Sequence, residues 1–413
     1  MMAVDEIRIA VSPGEIRAVF LAGGRLVRYV VDRPGDARRL GDVVLGRVKR
    51  LVRGLDAAFV DIGERQDGFL ATADAGPPGA GRRPIGRLLR EGEAVVVEVI
   101  REAMPPKGAK LRVAADPGEA TRPLGLRPPV PLVRGPDPVR RAVEMLATEA
   151  CRLIVVDAPG IAAWLRNALP DLAERIQLTT IPGAAFNGSD VDEQLERLLR
   201  PSVPLPSGGG VTIVETPALV AIDVDSGATE RDGASATALA VNLEAAEEVA
   251  RQMALRGLAG QVVVDFMPMR RRDHRAAVLA RLRTALTEAG IGEVEVAGYT
   301  RLGLVEMRRR RTGPTLTETL QRRCALCEGS GRVDSPVTVA LAALRAALAA
   351  DQVSPGRPLA IEAAAEVVAA LDRDVADARA EAETRLGRPL LVRPAAGVPT
   401  PGFTITEVIG QRT

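Results

Sequence analysis

Between Pro206 and Gly331, short β-branched runs alternate with runs of helical period, and that alternation limits the fold more than any other feature of the chain. Residues 211–214 and 219–223 read as strands. Residues 238–255 put Leu239, Leu243, Ala246, Ala250 and Met253 on one helical face, and Gly257 and Gly260 follow as stops. Residues 261–266 form another buried strand and 275–289 another helix. The pattern recurs upstream, with helices over 139–150 and 160–169 around a strand at 152–157. Strands and helices in alternation imply α/β layers.

Two of these strands end in carboxylates: Leu219-Val-Ala-Ile-Asp223-Val-Asp225-Ser226-Gly227 and Val262-Val-Val-Asp265-Phe266. In α/β sheets ligands bind beyond the carboxyl ends of strands, and Mg²⁺ favours one or two carboxylates completed by phosphate oxygens. If the two strands are neighbours, Asp223 and Asp265 converge on one point. On spacing alone the plainer reading, that each Asp caps a turn or the following helix, is the commoner one. The arginines beside them, at 270–272 and 308–311, shift the balance. Carboxylates that hold a metal, flanked by arginines that grip phosphate, make a site for cutting a phosphodiester.

Composition narrows the chemistry further. His274 is the one histidine in 413 residues, which excludes a His-rich metal cage and leaves a Ser or Cys nucleophile only that imidazole. Catalysis is therefore expected to rest on carboxylates and arginines. The length suggests two or three domains. Three cysteines cannot staple so long a chain, and Asp5 and Glu6 stand where a signal peptide carries positive charge, so a cytoplasmic setting is expected. No uncharged apolar stretch reaches the ~18 residues of a membrane span. The formal charge of +2 conceals an asymmetry: residues 251–311 hold 13 arginines against 6 acidic residues, and residues 351–413 hold 7 basic against 9 acidic. The basic centre is a candidate polyanion site, although a solvated helix face explains such charge equally well.

Residues 6–9, 15–21 and 25–31 alternate like strands around turns at Pro13-Gly14 and Gly23-Gly24. Short strands at 43–52, 57–61, 94–100 and 111–114 suggest a small barrel, interrupted by a Gly/Pro-rich loop at 76–86. On such a barrel Phe59 and Phe69 either stack the bases of single-stranded nucleic acid or fill the core, the core being the commoner place. Lys107 and Lys110 are two of only three lysines and fit phosphate contacts on a loop, or plain exposed side chains. Residues 116–137 are Pro-rich with little periodicity and read as a linker. Cys324-Ala-Leu-Cys327-Glu-Gly329-Ser-Gly331 has the spacing of a zinc knuckle. Zinc needs four ligands, and Cys151 and His274 lie in other segments, so the same pair from a second chain is the simplest completion and argues for a homodimer. A redox CxxC, or two thiols without a role, remain alternatives, though the redox type usually opens a helix after a strand. Residues 337–350, 361–371 and 389–392 suggest a further small α/β unit.

Taken in order, these segments resemble the ribonuclease E/G family of bacterial endoribonucleases. Gly46-Arg-Val-Lys, Ala57-Ala-Phe59-Val-Asp-Ile-Gly and Gly68-Phe69-Leu are similar to its S1 domain. Leu205-Pro-Ser-Gly-Gly, Ala221-Ile-Asp223-Val-Asp225-Ser-Gly, Asn242-Leu-Glu-Ala-Ala-Glu-Glu, Leu255-Arg-Gly-Leu-Ala-Gly, Val264-Asp265-Phe266, Asp273-His-Arg and Leu302-Gly-Leu-Val-Glu-Met307 resemble its catalytic subdomain. The resemblance implies an α/β (α+β) multidomain fold. Its parts are an S1/OB-type β-barrel (37–116) inserted in an RNase H-like subdomain (1–36 and 130–198), a Pro-rich linker (117–129), a DNase I-like catalytic subdomain (199–320), a CxxC zinc link (321–333) and a small C-terminal α/β domain (334–413). It further implies that Asp223 and Asp265 bind Mg²⁺ with Asp225 in the catalytic set. Water would then attack phosphorus and leave a 5′-phosphate and a 3′-hydroxyl. Phe59, Phe69 and Lys107 fall where the family holds single-stranded RNA. Cys324 and Cys327 would supply half of a Zn²⁺ site shared by two protomers of a homodimer, or of a tetramer built from two such pairs.

Three departures from the family matter. Asp225 stands where asparagine is usual, and Pro268 replaces the second aspartate of Asp-Phe-Ile-Asp-Met. The subdomain that senses a 5′-monophosphate through an Arg-Thr pair has no counterpart between the barrel and residue 132. The expected activity is thus Mg²⁺-dependent cleavage of single-stranded RNA, in rRNA or mRNA processing, by a short, ribonuclease G-like form indifferent to the 5′ end. A catalytically inactive RNA-binding paralogue is the alternative, and retention of both aspartates and the cysteine pair speaks against it.

Overall fold

The computed structural model describes residues 3–33, 40–76, 83–103, 107–114, 125–181, 183–187, 190–227, 234–395 and 402–408, with the side chains of 234–237 left aside. The chain divides into two compact units, Met1–Leu320 and Gln321–Thr413.

The first unit opens with a meander of β1 (Glu6–Ser12), β2 (Glu15–Ala22) and β3 (Arg25–Asp32), turned at Gly14 and at Gly23-Gly24, all three with positive φ. The chain then leaves this sheet to build a barrel. Its elements are β4 (Val43–Val52), β5 (Ala57–Asp61), β6 (Gly68–Ala71), a single helical turn α1 (Ile85–Leu88), β7 (Ala94–Arg101) and β8 (Lys110–Val113). The order β5-β6-β8-β7-β4 closes on itself through β4 and β5, so no edge is left on these five strands. Val44, Val60, Leu70, Val97 and Leu111 fill the interior. Gly46 and Gly68 are required where strands meet the core, because a Cβ would lie 2.6 Å from Val60 and 2.4 Å from Leu111 respectively.

One expectation needs correction here. Part of the Pro-rich stretch at 116–137, read as a linker, is structured: β9 (Val130–Val133) pairs antiparallel with β4 and extends the barrel sheet. It thus lies with the barrel rather than with the subdomain beginning at residue 130. Pro131 lacks an N–H, and an edge strand is the one place in a sheet that tolerates it. Residues 115–124 and 77–82, which carry most of the linker and of the Gly/Pro-rich loop, lie outside the described residues.

Helix α2 (Pro138–Leu146) returns the chain to the first sheet, where β10 (Leu153–Val156) lies parallel to β1. After α3 (Pro159–Ala168), β11 (Ile176–Leu178) adds parallel to β10, and α4 (Val191–Leu198) follows. The third sheet comprises β12 (Ser202–Pro204), β13 (Gly210–Glu215), β14 (Val220–Asp225), β15 (Gly260–Asp265), β16 (Val294–Tyr299) and β17 (Val305–Arg309), in the order β12-β13-β14-β15-β17-β16. Two long helices, α5 (Ala234–Arg256) and α6 (Arg272–Glu288), cover one of its faces, and α7 (Leu316–Leu320) ends the unit.

The second unit holds α8 (Pro336–Val353), β18 (Leu359–Ala363), α9 (Ala365–Asp372), α10 (Ala376–Leu386), β19 (Leu391–Pro394) and β20 (Phe403–Glu407) in a β19-β18-β20 sheet. Among the described residues α8 alone is long and apolar enough to cross a membrane. It carries Arg345 and Asp351, and Val339, Ala340, Ala343, Leu344 and Ala347 pack into a core with Ile361.

The strap that leads from β9 to α2 is held by Asp42, 1% exposed, whose carboxylate accepts from Gly135 N at 2.8 Å and Arg134 NH1 at 3.0 Å. Asp42→Ala strands the Gly135 N–H and leaves Arg134, 51% exposed, to water, and we expect a loss of about 1–3 kcal/mol in chemical denaturation of the full chain.

Candidate active site

Strands β14 and β15 are parallel neighbours whose register pairs Asp223 with Asp265. Register partners on adjacent strands point to the same face, about 4.8 Å apart at the backbone. Ile222, Val224 and Val264 turn into the core beneath α5 and α6, so the two carboxylates stand on the open face, and both are exposed. Neither makes a hydrogen bond or ion pair with a described residue. Like charges side by side weaken a sheet and do nothing to hold it together. The two carboxylates thus stand side by side without a described hydrogen-bond donor, neither of them bonded to a backbone N–H as a capping side chain would be.

Asp225, two residues on, is also exposed on this face, and its Oδ1 accepts from Gly227 N at 2.8 Å. That turn is packed backbone to backbone. A Cβ on Gly227, at φ +60°, would lie 2.3 Å from Gly208 O, and one on Gly209 would lie 2.5 Å from Asp225 O. Ser207 N, in the same loop, donates to Glu244 Oε2 of α5 at 2.9 Å.

The chain leaving Asp265 is pinned in the same way. Asn242 of α5 is fully buried; its Nδ2 donates to Met267 O and its Oδ1 accepts from Met267 N, both at 2.9 Å. Two hydrogen bonds to one peptide position fix the path two residues past Asp265. Sequence reasoning placed Asn242 in a matching segment and gave it no role. The available signal was a polar residue on the helical face shared with Leu239 and Ala246.

The arginines do not form the single cluster expected. Arg270 and Arg272 are exposed on the loop and helix start after Asp265, and Arg271 is bound to Asp273, whose carboxyl that bond holds down at about 2. Arg308 pairs with Gln261, four residues back along β15 and so roughly 13 Å from Asp265. Arg309 turns inward, 7% exposed, and donates to Leu258 O at 2.7 Å and Ile291 O at 3.0 Å. Arg311 is bound to Glu318. Strand alternation along β17 scatters a run that looks contiguous in sequence.

On the barrel, Phe59 and Phe69 are register partners, with ring centroids 5.8 Å apart in an edge-to-face pair. The Arg50 guanidinium lies 4.8 Å over the Phe59 ring. Both rings are half-buried and lie outside the barrel core, so they form an aromatic-cationic patch on its surface. Lys107 is exposed beside it. A Cβ on Gly108 would sit 2.0 Å from Asp67 O, so only glycine lets this loop press against the β5–β6 connection. Lys110 pairs with Asp74 at 2.7 Å and Lys49 with Asp67 at 2.9 Å, which leaves Lys107 as the lysine without a carboxylate among the described residues.

In the second unit, Cys324 and Cys327 lie on a turn closed by Ser330 N donating to Cys327 O at 2.8 Å. Glu328, Gly329 and Gly331 all have positive φ. The sulfur of Cys324 accepts from the N–H groups of Cys327 and Leu326, which pulls its thiol below the ordinary range; burial pushes Cys151 up. Among the described residues no three or more His, Cys, Asp or Glu side chains converge.

A sheet that presents paired carboxylates, combined with a closed barrel carrying an aromatic-cationic patch, defines a multidomain α/β protein. A family model described as the ribonuclease E/G family matches residues 120–312. Ribonuclease G of Escherichia coli K12 is 26% identical, with 94% of this chain and 96% of that protein covered. Ribonuclease E of the same strain is 28% identical over 80% of this chain, and ribonuclease E of Haemophilus influenzae is 28% identical over the same share. The chain spans 39% and 44% of those two longer relatives. The chain is thus similar to the ribonuclease E/G family over residues 120–312 and, across most of its length, to ribonucleases G and E.

With a chelator present and at neutral pH, iodoacetamide is expected to label Cys324 well before Cys151. The rate at Cys324 should level off at lower pH than for an ordinary thiol, because its thiol titrates lower; peptide mass mapping across a pH series reads both effects.

Proposed function

We propose that this chain is an endoribonuclease that cleaves single-stranded RNA with Mg²⁺ held by Asp223 and Asp265. The observation that carries the reading is their register: two exposed carboxylates on one sheet face, with no cationic partner among the described residues. Two carboxylates suit Mg²⁺, which keeps several waters and takes its other ligands from substrate phosphate. Bound there, Mg²⁺ supplies Lewis-acid polarisation of the phosphate and a more acidic water. The rest is the work of the chain. Asn242 and Glu244 fix the loops behind the aspartates, so the carboxylates arrive already placed. Asp225 closes its turn and adds negative charge beside the pair. Arg270 and Arg272 stand ready for phosphates on either side of the scissile bond. Phe59 and Phe69 offer ring faces to bases, with Arg50 and Lys107 for the backbone, as an S1-type barrel would.

Indifference to the 5′ end belongs to the same proposal. Only residues 114–129 join β8 to β9, which leaves no length for a sensing subdomain. The alignment with ribonuclease G runs over 474 positions, more than this chain's 413 residues, in keeping with a segment that the relative has and this chain does not. On this reading the chain works in the cytoplasm on ribosomal or messenger RNA, as a homodimer whose Cys324 and Cys327 thiolates meet their copies around one shared Zn²⁺.

Purified protein with Mg²⁺ should cut a single-stranded A/U-rich oligoribonucleotide at equal rates whether its 5′ end carries a monophosphate or a hydroxyl. Asp223→Asn and Asp265→Asn should each lower the rate about a thousandfold, some 4 kcal/mol of barrier. Binding without cleavage, unchanged by Asp265→Asn, identifies the inactive paralogue instead; a large preference for the monophosphate overturns 5′ indifference alone. Metal analysis with mass in solution should give one zinc per two chains in a dimer, and Cys324→Ser should lose both.

A further inference from the structure

Away from Asp223 and Asp265, the first unit contains a cleft of about 690 Å³ walled by β3, α2, the end of α5 and residues 312–319. Its charged lining sets five arginines, Arg28, Arg33, Arg141, Arg256 and Arg309, against Asp32, Glu102 and Glu318. Some arginines of the unit pair with carboxylates: Arg25 and Arg251 share Glu248, and Arg141, on this cleft's own wall, pairs with Glu102 at 3.2 Å. Arg28 and Arg309, which both line the cleft, pair with no carboxylate among the described residues. Arg28 is half-buried on β3, and its one hydrogen bond to a described residue is a long one, from NH1 to Ala254 O at 3.4 Å. Arg309 spends Nε and NH1 on the carbonyls of Ile291, Leu258 and Met253. Burial lowers both guanidiniums, Arg309 to about 10, and the two stand close enough to repel each other. Arg256, 6% exposed on the same wall, bonds to Gln252 Oε1 and Arg200 O at 2.7 Å each.

Carbonyl dipoles satisfy some N–H groups, but they do not balance charge. A desolvated cation without a counterion is costly, and two facing one cavity are more so. Guanidinium forks match a phosphate group in both charge and shape. We infer that this cleft is an anion site in which Arg28, with Arg309 behind it, holds a phosphate group. The site is separate from the proposed cleavage centre and needs neither Asp223 nor Asp265. Its phosphate comes either free in solution or from an RNA backbone.

Thermal unfolding of the full chain tests this, at constant ionic strength with chloride exchanged for inorganic phosphate, in the wild type, Arg28→Gln and Arg28→Lys. Phosphate should raise the wild-type midpoint by a few degrees, raise Arg28→Lys less and leave Arg28→Gln unmoved. In chloride alone Arg28→Gln should unfold no lower than the wild type, since it sheds an unmatched charge. Phosphate also stabilises proteins generally through exclusion from their surface. An equal rise in all three proteins, or none in the wild type, therefore overturns the proposal. Calorimetric titration with inorganic phosphate gives a second reading: one site per chain in the wild type, at least fivefold weaker in Arg28→Lys. An unchanged affinity in Arg28→Lys defeats the idea even if Arg28→Gln fails to fold. Binding of a short oligoribonucleotide in an Asp265→Asn background separates the sources. Weakening by Arg28→Gln and competition by phosphate assign an RNA phosphate; RNA binding untouched beside a lost phosphate site assigns the free anion.

Discussion

The buried polar stripe of helix α5 is the constraint on which the rest of the first unit depends. A helix covered on nearly all sides ordinarily carries apolar residues all round. Here Asn242, Glu248, Gln252 and Arg256 are 0–6% exposed, and each is bonded. Arg256 Nε donates to Gln252 Oε1, and Gln252 Nε2 donates to Glu248 Oε1, which also takes Arg251. Glu248 receives Arg25 from β3, while Arg251 NH1 donates to Leu26 O at 2.7 Å. The C-terminal half of the helix is thus locked to the first sheet. Its N-terminal half holds the third sheet's loops through Asn242 and Glu244. Satisfied networks of this kind fix one register, because sliding the helix by a residue would strand several buried polar groups at once. The positions of Asp223 and Asp265 are consequences of that register.

How much of this was legible depended on whether a feature was local. The strands that end in Asp223 and Asp265, the long helix between them and the α/β layering follow from periods of 2 and 3.6 residues, and the structure carries them at nearly the expected limits. Their pairing was not legible. A slip of one residue between β14 and β15 would have sent the two carboxylates to opposite faces, and nothing within either strand forbids it. The helix above decides, through contacts from residues with large sequence separation. Asn242 was hidden for the same reason, since its partner is a backbone peptide 25 residues away.

Other readings failed where a linear run was taken for a surface patch. Arginines 308–311 are contiguous in sequence, but a strand sends neighbours to opposite faces, and the strand ends before the run does. Val130–Val133 was masked by its prolines, which mark a linker in most contexts and an edge strand in this one. The pair of phenylalanines turned the other way. Composition favours the core for them, yet a barrel of five short strands is already filled by Val, Leu and Ile, and the rings are left outside.

The scarcity of lysine also acquires a structural sense. Inside the first unit, arginines do work that an ammonium group does poorly. Arg309 reaches two carbonyls near the end of α5 and a third at Ile291, Arg256 bridges a side-chain amide and a loop carbonyl, and Arg275 Nε donates to Met269 O at 2.7 Å while its guanidinium lies over Tyr299. A planar fork with five donors can satisfy several buried acceptors from one side chain, is less strongly hydrated than an ammonium and stacks on a ring. Carbonyls left without a strand or helix partner at the ends of α5 and β15 need such donors. The cost is charge that neutral acceptors cannot cancel. Glu248 offsets it for Arg251, whereas Arg28 and Arg309 make no ion pair with a described carboxylate.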